Sequence, residues 1–389
     1  MQIVSWSFLM ALLLKMNGQI EQMPMNSAGL QRVESRFIKV IMKIFLRHIF
    51  EGTLTLLVVF LFTTIVLLVS GAPPFAAFYH IFIGSLGSWI KLGQVIQVWI
   101  PLTLCAVGLL YTFRIDLWNI GVEGQVMLGA VFTTAVLRID AAKSMPMLFI
   151  GLSFLAGILG GATWAILAGV LKTRGGVNEI FAGLGLNFVG QGIILWLIFG
   201  PWRRPGVASM SGTELFPREL WLSFLPTFRL SPVGLGLALS ALILTALLLR
   251  YTHMGLNLKA IGNNRDAAYL FGLKPDRYLI IAMIFAGGFA GLAGSIQVVG
   301  VYHRLLPAIS SNYGYLALLV VMLANYNVWI TPLVAFFFAC LNVGSIQLPM
   351  MLELDSSLSG VIQGLLVLAT LAVYSYRIRR KESGGTSAI

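Results

Sequence analysis

Apolar residues fill most of this chain and come in long runs separated by short polar connections. The runs occupy 50–71, 93–113, 117–137, 147–171, 177–200, 233–250, 278–301, 314–325, 328–347 and 357–376. A bilayer core asks for about 20 apolar residues per helical crossing, so the pattern predicts an all-α, polytopic membrane protein with ten transmembrane helices. The eighth run is short and could instead be half of a broken or re-entrant element, the alternative being nine crossings, some of them discontinuous. Small residues at helical spacing in GILGGATWAILAG (157–169) and FAGGFAGLAG (285–294) predict close helix packing.

The flanks divide the chain further. The apolar stretch SFLMALLL at 7–14 is too short to span and has no basic lead. Residues 1–31 therefore read as a disordered extension or a start placed upstream of the true one. From Arg32 to Arg47, basic residues recur every three or four positions, with Phe37, Val40, Ile41, Ile44 and Phe45 between them. This is the pattern of an interfacial amphipathic helix over 32–49. Residues 50–376 form the transmembrane domain, with a cytoplasmic loop at 251–277, and 377–389 form a basic tail.

Composition supports that division. Hydrophobic residues make up 58% of the chain and charged ones 10%, and the mean hydropathy is +0.90. Soluble domains carry about 25% charged residues, so a water-soluble fold is excluded. The net charge of +12 lies mostly in short connections beside apolar runs, which suits lipid headgroups and not nucleic acid. With a cytoplasmic N-terminus, ten crossings place 18 Lys and Arg residues inside and 8 outside. That excess favours both termini in the cytoplasm of an inner (plasma) membrane protein. Four of the outer eight lie in the loop at 201–232, which begins PWRRPG and reads either as a dock for an extracytoplasmic partner or as a plain connector. Cys105 and Cys340 lie inside apolar runs and read as core packing.

The cytoplasmic loop contains a designed helix. Asn264 is a natural N-cap, Asp266 sits in the first turn, and Gly272 with Pro275 supplies the stop. A helix of about seven residues is unstable alone, and it displays Ala267, Ala268, Tyr269, Leu270 and Phe271 on the water side. It reads as a docking element for a partner or as an interfacial helix resting on headgroups.

Polar residues interrupt the apolar runs at two places. Glu123 stands between Gly121 and Gly124, with Asn119 and Gln125 beside it. A carboxylate at membrane depth costs several kcal/mol and should face a cavity or partner, and the glycines permit a local break that could line a binding site. The alternative is a structural carboxylate paired with Arg114 or Arg174. The second interruption is GGVNEI at 175–180. Here Asn178 and Glu179 read as solute-path residues or, for Glu179, as an ordinary helix-start acid. Asn187 lies about two turns deeper along a similar face. Gln94, Gln97, Gln191, Gln297, Asn325, Asn342 and Gln363 individually read as interhelical hydrogen bonds, and Tyr302 with His303 as an aromatic belt or a pathway mouth. No P-loop motif and no paired-carboxylate, Ser-His-Asp or H-E-x-x-H arrangement is present.

The loop sequence G-x-N-x-K-A-I-G-x-N-x-x-A-A-x-x-x-G, carried by Gly255, Ala260, Gly262, Asn264, Ala267, Ala268 and Gly272, resembles the coupling segment of permease subunits in ATP-binding-cassette importers. The resemblance continues in IAMIFAGGFAGLAGSIQVVG. FRIDLWNIGVEGQVMLGA (113–130), GGVNEIFAGLGLNFVG (175–190), YGYLALLVVMLANYN and VIQGLLVLATL narrow it to the nucleoside-type permeases associated with basic membrane lipoproteins, within a nucleoside and simple-sugar group.

That resemblance, spanning about 50–376, implies a translocation subunit with no cofactor or enzyme chemistry of its own. ATP and Mg would be held by a cytoplasmic ATPase that seats the coupling helix, and solute would arrive on an extracytoplasmic binding protein. A second permease subunit is implied, with the long outer loop and GVNEI segment favouring a heterodimer. Solute-path residues would be Asn119, Glu123, Gln125, Asn178, Glu179 and Asn187. The competing readings are an ion-coupled secondary transporter using Glu123, a permease for branched-chain amino acids, and a membrane-embedded enzyme, for which no ligand cluster is found.

Overall fold

The computed structural model describes residues 73–346, except 205, 207–211, 226–227 and 229, together with positions 61, 64, 65, 68 and 364. The extension at 1–31, the amphipathic segment at 32–49, the apolar run at 357–376 apart from position 364, the basic tail and most of the run at 50–71 lie outside the described residues.

The described chain is helical. Its helices are α1 (Pro74–Leu86), α2 (Trp89–Arg114), α3 (Val122–Leu137), α4 (Pro146–Thr173), α5 (Glu179–Phe199), α6 (Pro232–Tyr251), α7 (His253–Asn263), α8 (Arg265–Leu270), α9 (Pro275–Ile296), α10 (Tyr313–Leu323) and α11 (Thr331–Ile346). A π-helical turn, Gln297–Tyr302, extends α9. Among the described residues, α2, α4, α5, α6 and α9 with its extension are long and apolar enough to cross a membrane, and α1, α3, α10 and α11 are shorter apolar helices.

The connection expected between the first two runs is itself a helix. α1 follows Pro73 and Pro74 and packs on α11, where a Cβ on Gly344 would lie 2.4 Å from the Ile81 carbonyl. The eighth run takes the alternative form, a half element in place of a full crossing. α10 has 11 residues, which at 1.5 Å per residue is about 16 Å, half of a bilayer core.

Glycines set the centre of the bundle, where α9 packs against α4, α3 and α2. A Cβ on Gly161 would meet the Gly287 carbonyl at 2.1 Å, and one on Gly291 the Gly157 carbonyl at 2.1 Å. A Cβ on Gly129 of α3 would likewise lie 2.3 Å from the Gly291 Cα. Backbones this near gain dispersion contacts where apolar lipid offers helices no hydrophobic drive to associate. Polar contacts pin the register: Thr133 and Ser295 share a hydrogen bond of 2.7 Å, and Thr133 donates to the Ser153 carbonyl. On the other flank of α9, the Tyr111 ring stacks on Phe285 at 4.7 Å and its hydroxyl donates to Thr245 of α6.

Gly291→Val should therefore cost more than the usual 1–3 kcal/mol, roughly, of core overpacking, because backbone and not a pliable side chain opposes the new atoms. Gly151→Ala, where nothing lies within 4 Å, should stay within about 0.5 kcal/mol of the parent. Melting curves in detergent compare the two, and equal stabilities would contradict the packing described.

Candidate functional site

The two polar interruptions seen in the sequence meet, but only in part. Between α2 and α3 the chain leaves the helix for residues 115–121, with Asp116 at φ 58°. This elbow lets Glu123 point toward a second irregular segment, residues 303–312, which returns into the protein after the π-turn. That segment ends with Ser311 and Asn312 at φ 49° and 60°, and α10 starts without any side-chain cap of its own.

Glu123 supplies the cap from another helix. Its Oε2 accepts the Gly314 N–H at 2.8 Å, and a Cβ on Gly314 would lie 2.5 Å from that oxygen, so only glycine permits the approach. The Ser310 side chain and the backbone of Asn312 and Tyr315 also stand against the carboxylate, while Oε1 closes no hydrogen bond of good geometry. A helix N-terminus carries roughly half a positive charge, so an anion is the natural occupant of this buried position.

The amides around it complete a closed cluster. Asn119 and Gln125 pair side chain to side chain at 3.1 and 2.9 Å. Asn187 accepts the Gly124 N–H at 2.8 Å and donates to the Ile120 carbonyl and the Tyr315 hydroxyl. A Cβ on Gly183 would lie 2.6 Å from the Gly121 nitrogen, which explains how α5 comes near enough for Asn187 to reach. Asn119, Glu123, Gln125 and Asn187 are only 0–5% exposed, and most of their polar atoms are spent on the protein itself. Glu123 is paired neither with Arg114 nor with Arg174.

Asn178 and Glu179 lie elsewhere. Asn178 caps α5 by accepting the Ile180 N–H at 2.8 Å, and Glu179 pairs with Lys172 at the end of α4. Glu179 lines a crevice of about 300 Å³ shared with Asp116, Asn263, Asn264 and Arg265, and Asn178 precedes it at the start of α5, so the chain does not bring them to the Glu123 cluster.

The loop at 251–277 carries two helices where the pattern predicted one. Asn264 caps α8 by accepting the Ala267 N–H at 2.9 Å, and Gly272, at φ 85°, takes the αL position after it. Arg265 pairs with Asp276 across the loop. α7, before α8, is seated by two close approaches: a Cβ on Gly262 would lie 2.3 Å from the Arg114 carbonyl, and one on Gly255 2.3 Å from that of Leu249. Ala260 is exposed and Ala267 half-buried. Ala268 is buried, contrary to the display expected for it, whereas Tyr269, Leu270 and Phe271 are 68%, 85% and 88% exposed.

Gln97, Gln191 and Gln297 donate to the carbonyls of Gly300, Pro307 and Ile309. They satisfy backbone that the irregular segment leaves unpaired. From the loop between α5 and α6, Thr213, Phe216 and Leu222 donate to the carbonyls of Leu305, His303 and Val299, and Trp221 stacks on His303 at 3.8 Å. Gly314 and Tyr315 were missed as site residues because apolar neighbours hide them in YGYLALL.

Glu123→Gln keeps an acceptor opposite Gly314 and should retain most of the parent's thermal stability. Glu123→Ala orphans a buried donor and should lose about 1–3 kcal/mol or more. Thermal unfolding in detergent reads the difference, and indistinguishable melting of the two variants would show that the carboxylate does not hold α10.

Comparisons with known proteins agree with this architecture. Residues 92–371 match the family described as "Branched-chain amino acid transport system / permease component". A glucose ABC transporter permease protein of Haloferax volcanii is 28% identical over 78% of this chain and 82% of its own length. A nucleoside ABC transporter permease protein of Lactococcus lactis subsp. cremoris is 26% identical, covering 74% of this chain and 80% of that protein. A guanosine ABC transporter permease protein of Bacillus subtilis is 23% identical, over 80% and 90%. With a match across most of its length, the chain belongs to this family of ABC transporter permeases, multi-pass membrane subunits of transport systems.

Proposed function

We propose that this permease subunit conducts a nucleoside or a simple sugar into the cell, moved by a separate cytoplasmic ATPase. The observation that carries the reading is α8, a capped six-residue helix whose largest apolar side chains face away from the protein. A helix this short holds its shape only because Asn264, Gly272 and the Arg265–Asp276 pair fix it. Exposed aromatic and aliphatic side chains on a rigid support are what a docking partner buries.

Substrate class follows from the relatives, whose names specify glucose, nucleosides and guanosine. The partners we infer are an ATPase holding ATP and Mg, an extracytoplasmic binding protein, and a second, non-identical permease. The excess of basic residues in the inner connections supports cytoplasmic termini.

Because Ala268 is buried, substitutions there would disturb the loop itself. Leu270→Asp with Phe271→Asp alters only exposed positions. The double variant should insert into the membrane normally yet retain the ATPase on purification at least about tenfold more weakly, with a parallel loss of uptake. Wild-type stoichiometry of ATPase on the double variant would overturn the docking role of α8.

A further inference from the structure

The closed Glu123 cluster leaves few polar atoms for a solute, so the wall of the path must be sought next to it. α10 ends beside Tyr326, whose ring meets Phe113 at 5.2 Å and which borders a cytoplasmic crevice with Arg114 and Lys259. Counting back about 16 Å along the helix puts Asn312–Tyr315 near the bilayer midplane. Asn312 is exposed there in an αL conformation, and Tyr315 is 37% exposed. Irregular backbone and an amide at this depth do not face lipid; they line a water-filled cavity.

α5 supplies the other side of this surface. The Asn187–Tyr315 hydrogen bond fixes α5 and α10 at the same level, and the next residue, Phe188, is 78% exposed. One turn before and one turn after it stand Gly185 and Gly192, and a Cβ on either would have nothing within 4 Å. The Phe188 ring thus has a bare strip of helix on both sides, wide enough for a planar group to lie against it. Tyr315 already accepts from Asn187, so its own proton is available to donate, and the Asn312 amide offers both a donor and an acceptor.

We infer that Phe188, Asn312 and Tyr315 form a solute-contacting wall of the path, and that the solute it fits is a nucleoside. The base stacks on Phe188, and ring nitrogens or ribose hydroxyls meet Asn312 and Tyr315. This assignment builds on the proposed function and selects between its two substrate classes. None of the three was singled out by the polar pattern of the sequence, because Phe188 and Tyr315 sit in apolar runs and Asn312 in a connecting turn.

The test uses the complete transporter with Cys105 and Cys340 replaced by Ala, and Phe188→Cys, Asn312→Cys or Leu155→Cys introduced singly. Leu155 is an apolar control, 58% exposed on α4. A charged methanethiosulfonate reagent should label positions 188 and 312 but not 155, and guanosine, unlike glucose, should slow the labelling. In otherwise unaltered complexes, Phe188→Leu should raise the KM for guanosine about two- to tenfold, and Phe188→Tyr should restore it. Asn312→Gly removes the amide while easing the αL backbone, and should also raise KM. Unlabelled positions 188 and 312 in a complex that takes up guanosine, unchanged kinetics in the variants, or equal protection by glucose would overturn the assignment while leaving the permease function standing. A wild-type complex that takes up neither guanosine nor glucose would overturn the proposed function, and this assignment with it.

Discussion

A helix that begins inside a buried, apolar bundle has N–H groups that water cannot satisfy, and the fold is arranged around that constraint. Glu123 answers it by placing its carboxylate on the Gly314 N–H from a neighbouring helix. Each partner offsets the other's cost: the buried charge would be expensive alone, and so would the unpaired helix end. The pairing also explains the elbow at 115–121, which turns the start of α3 inward, and the glycine at position 314, where any side chain would collide with Glu123.

The rest of the irregular backbone is satisfied in the same manner. Three glutamines reach the carbonyls of Gly300, Pro307 and Ile309, and the outer loop hydrogen-bonds at residues 299, 303 and 305. The segment from the π-turn to α10 is therefore held on both its inner and outer sides by the protein. Glycine contacts among α3, α4 and α9 supply the rigid body against which it is held. Apolar packing and polar satisfaction divide the work by position: small residues where helices touch, amides where helices break.

Local rules made much of this legible in the sequence. Asn264, Gly272 and Pro275 delimited the short helix α8 through cap and stop chemistry, which depends only on neighbours along the chain. The small-residue runs in α4 and α9 marked their contact, and the brevity of the eighth run marked a half-helix. What failed depended on distant partners. Glu123 was recognised as exceptional, yet its mate is a backbone N–H 191 residues away, and no side-chain pattern announces a backbone donor. α1 was hidden because its aromatic and small residues read as a connection, and its helix is supported by packing on α11. Glu179 shared a face with Asn187 on paper, but α5 starts about two turns before Asn187, which leaves Asn178 and Glu179 away from the cluster.

These contacts also connect the two ends of the cycle. Gly262 places the loop bearing α8 directly on the carbonyl of Arg114, the last residue before the elbow. The far end of the elbow carries Ile120, bonded to Asn187, and then Glu123, bonded to α10. A displacement of the 251–277 loop would thus reach α3, α5 and α10 through close backbone contacts and buried hydrogen bonds. Interfaces packed this tightly rearrange between discrete states more readily than they deform. Phe188 adjoins Asn187 on α5, and Tyr315 follows Gly314 on α10, so the residues we assign to the solute path are carried by the two helices that the elbow contacts. In that reading, the proposed ATPase dock and the proposed solute wall are linked through seven residues of non-helical chain, 115–121.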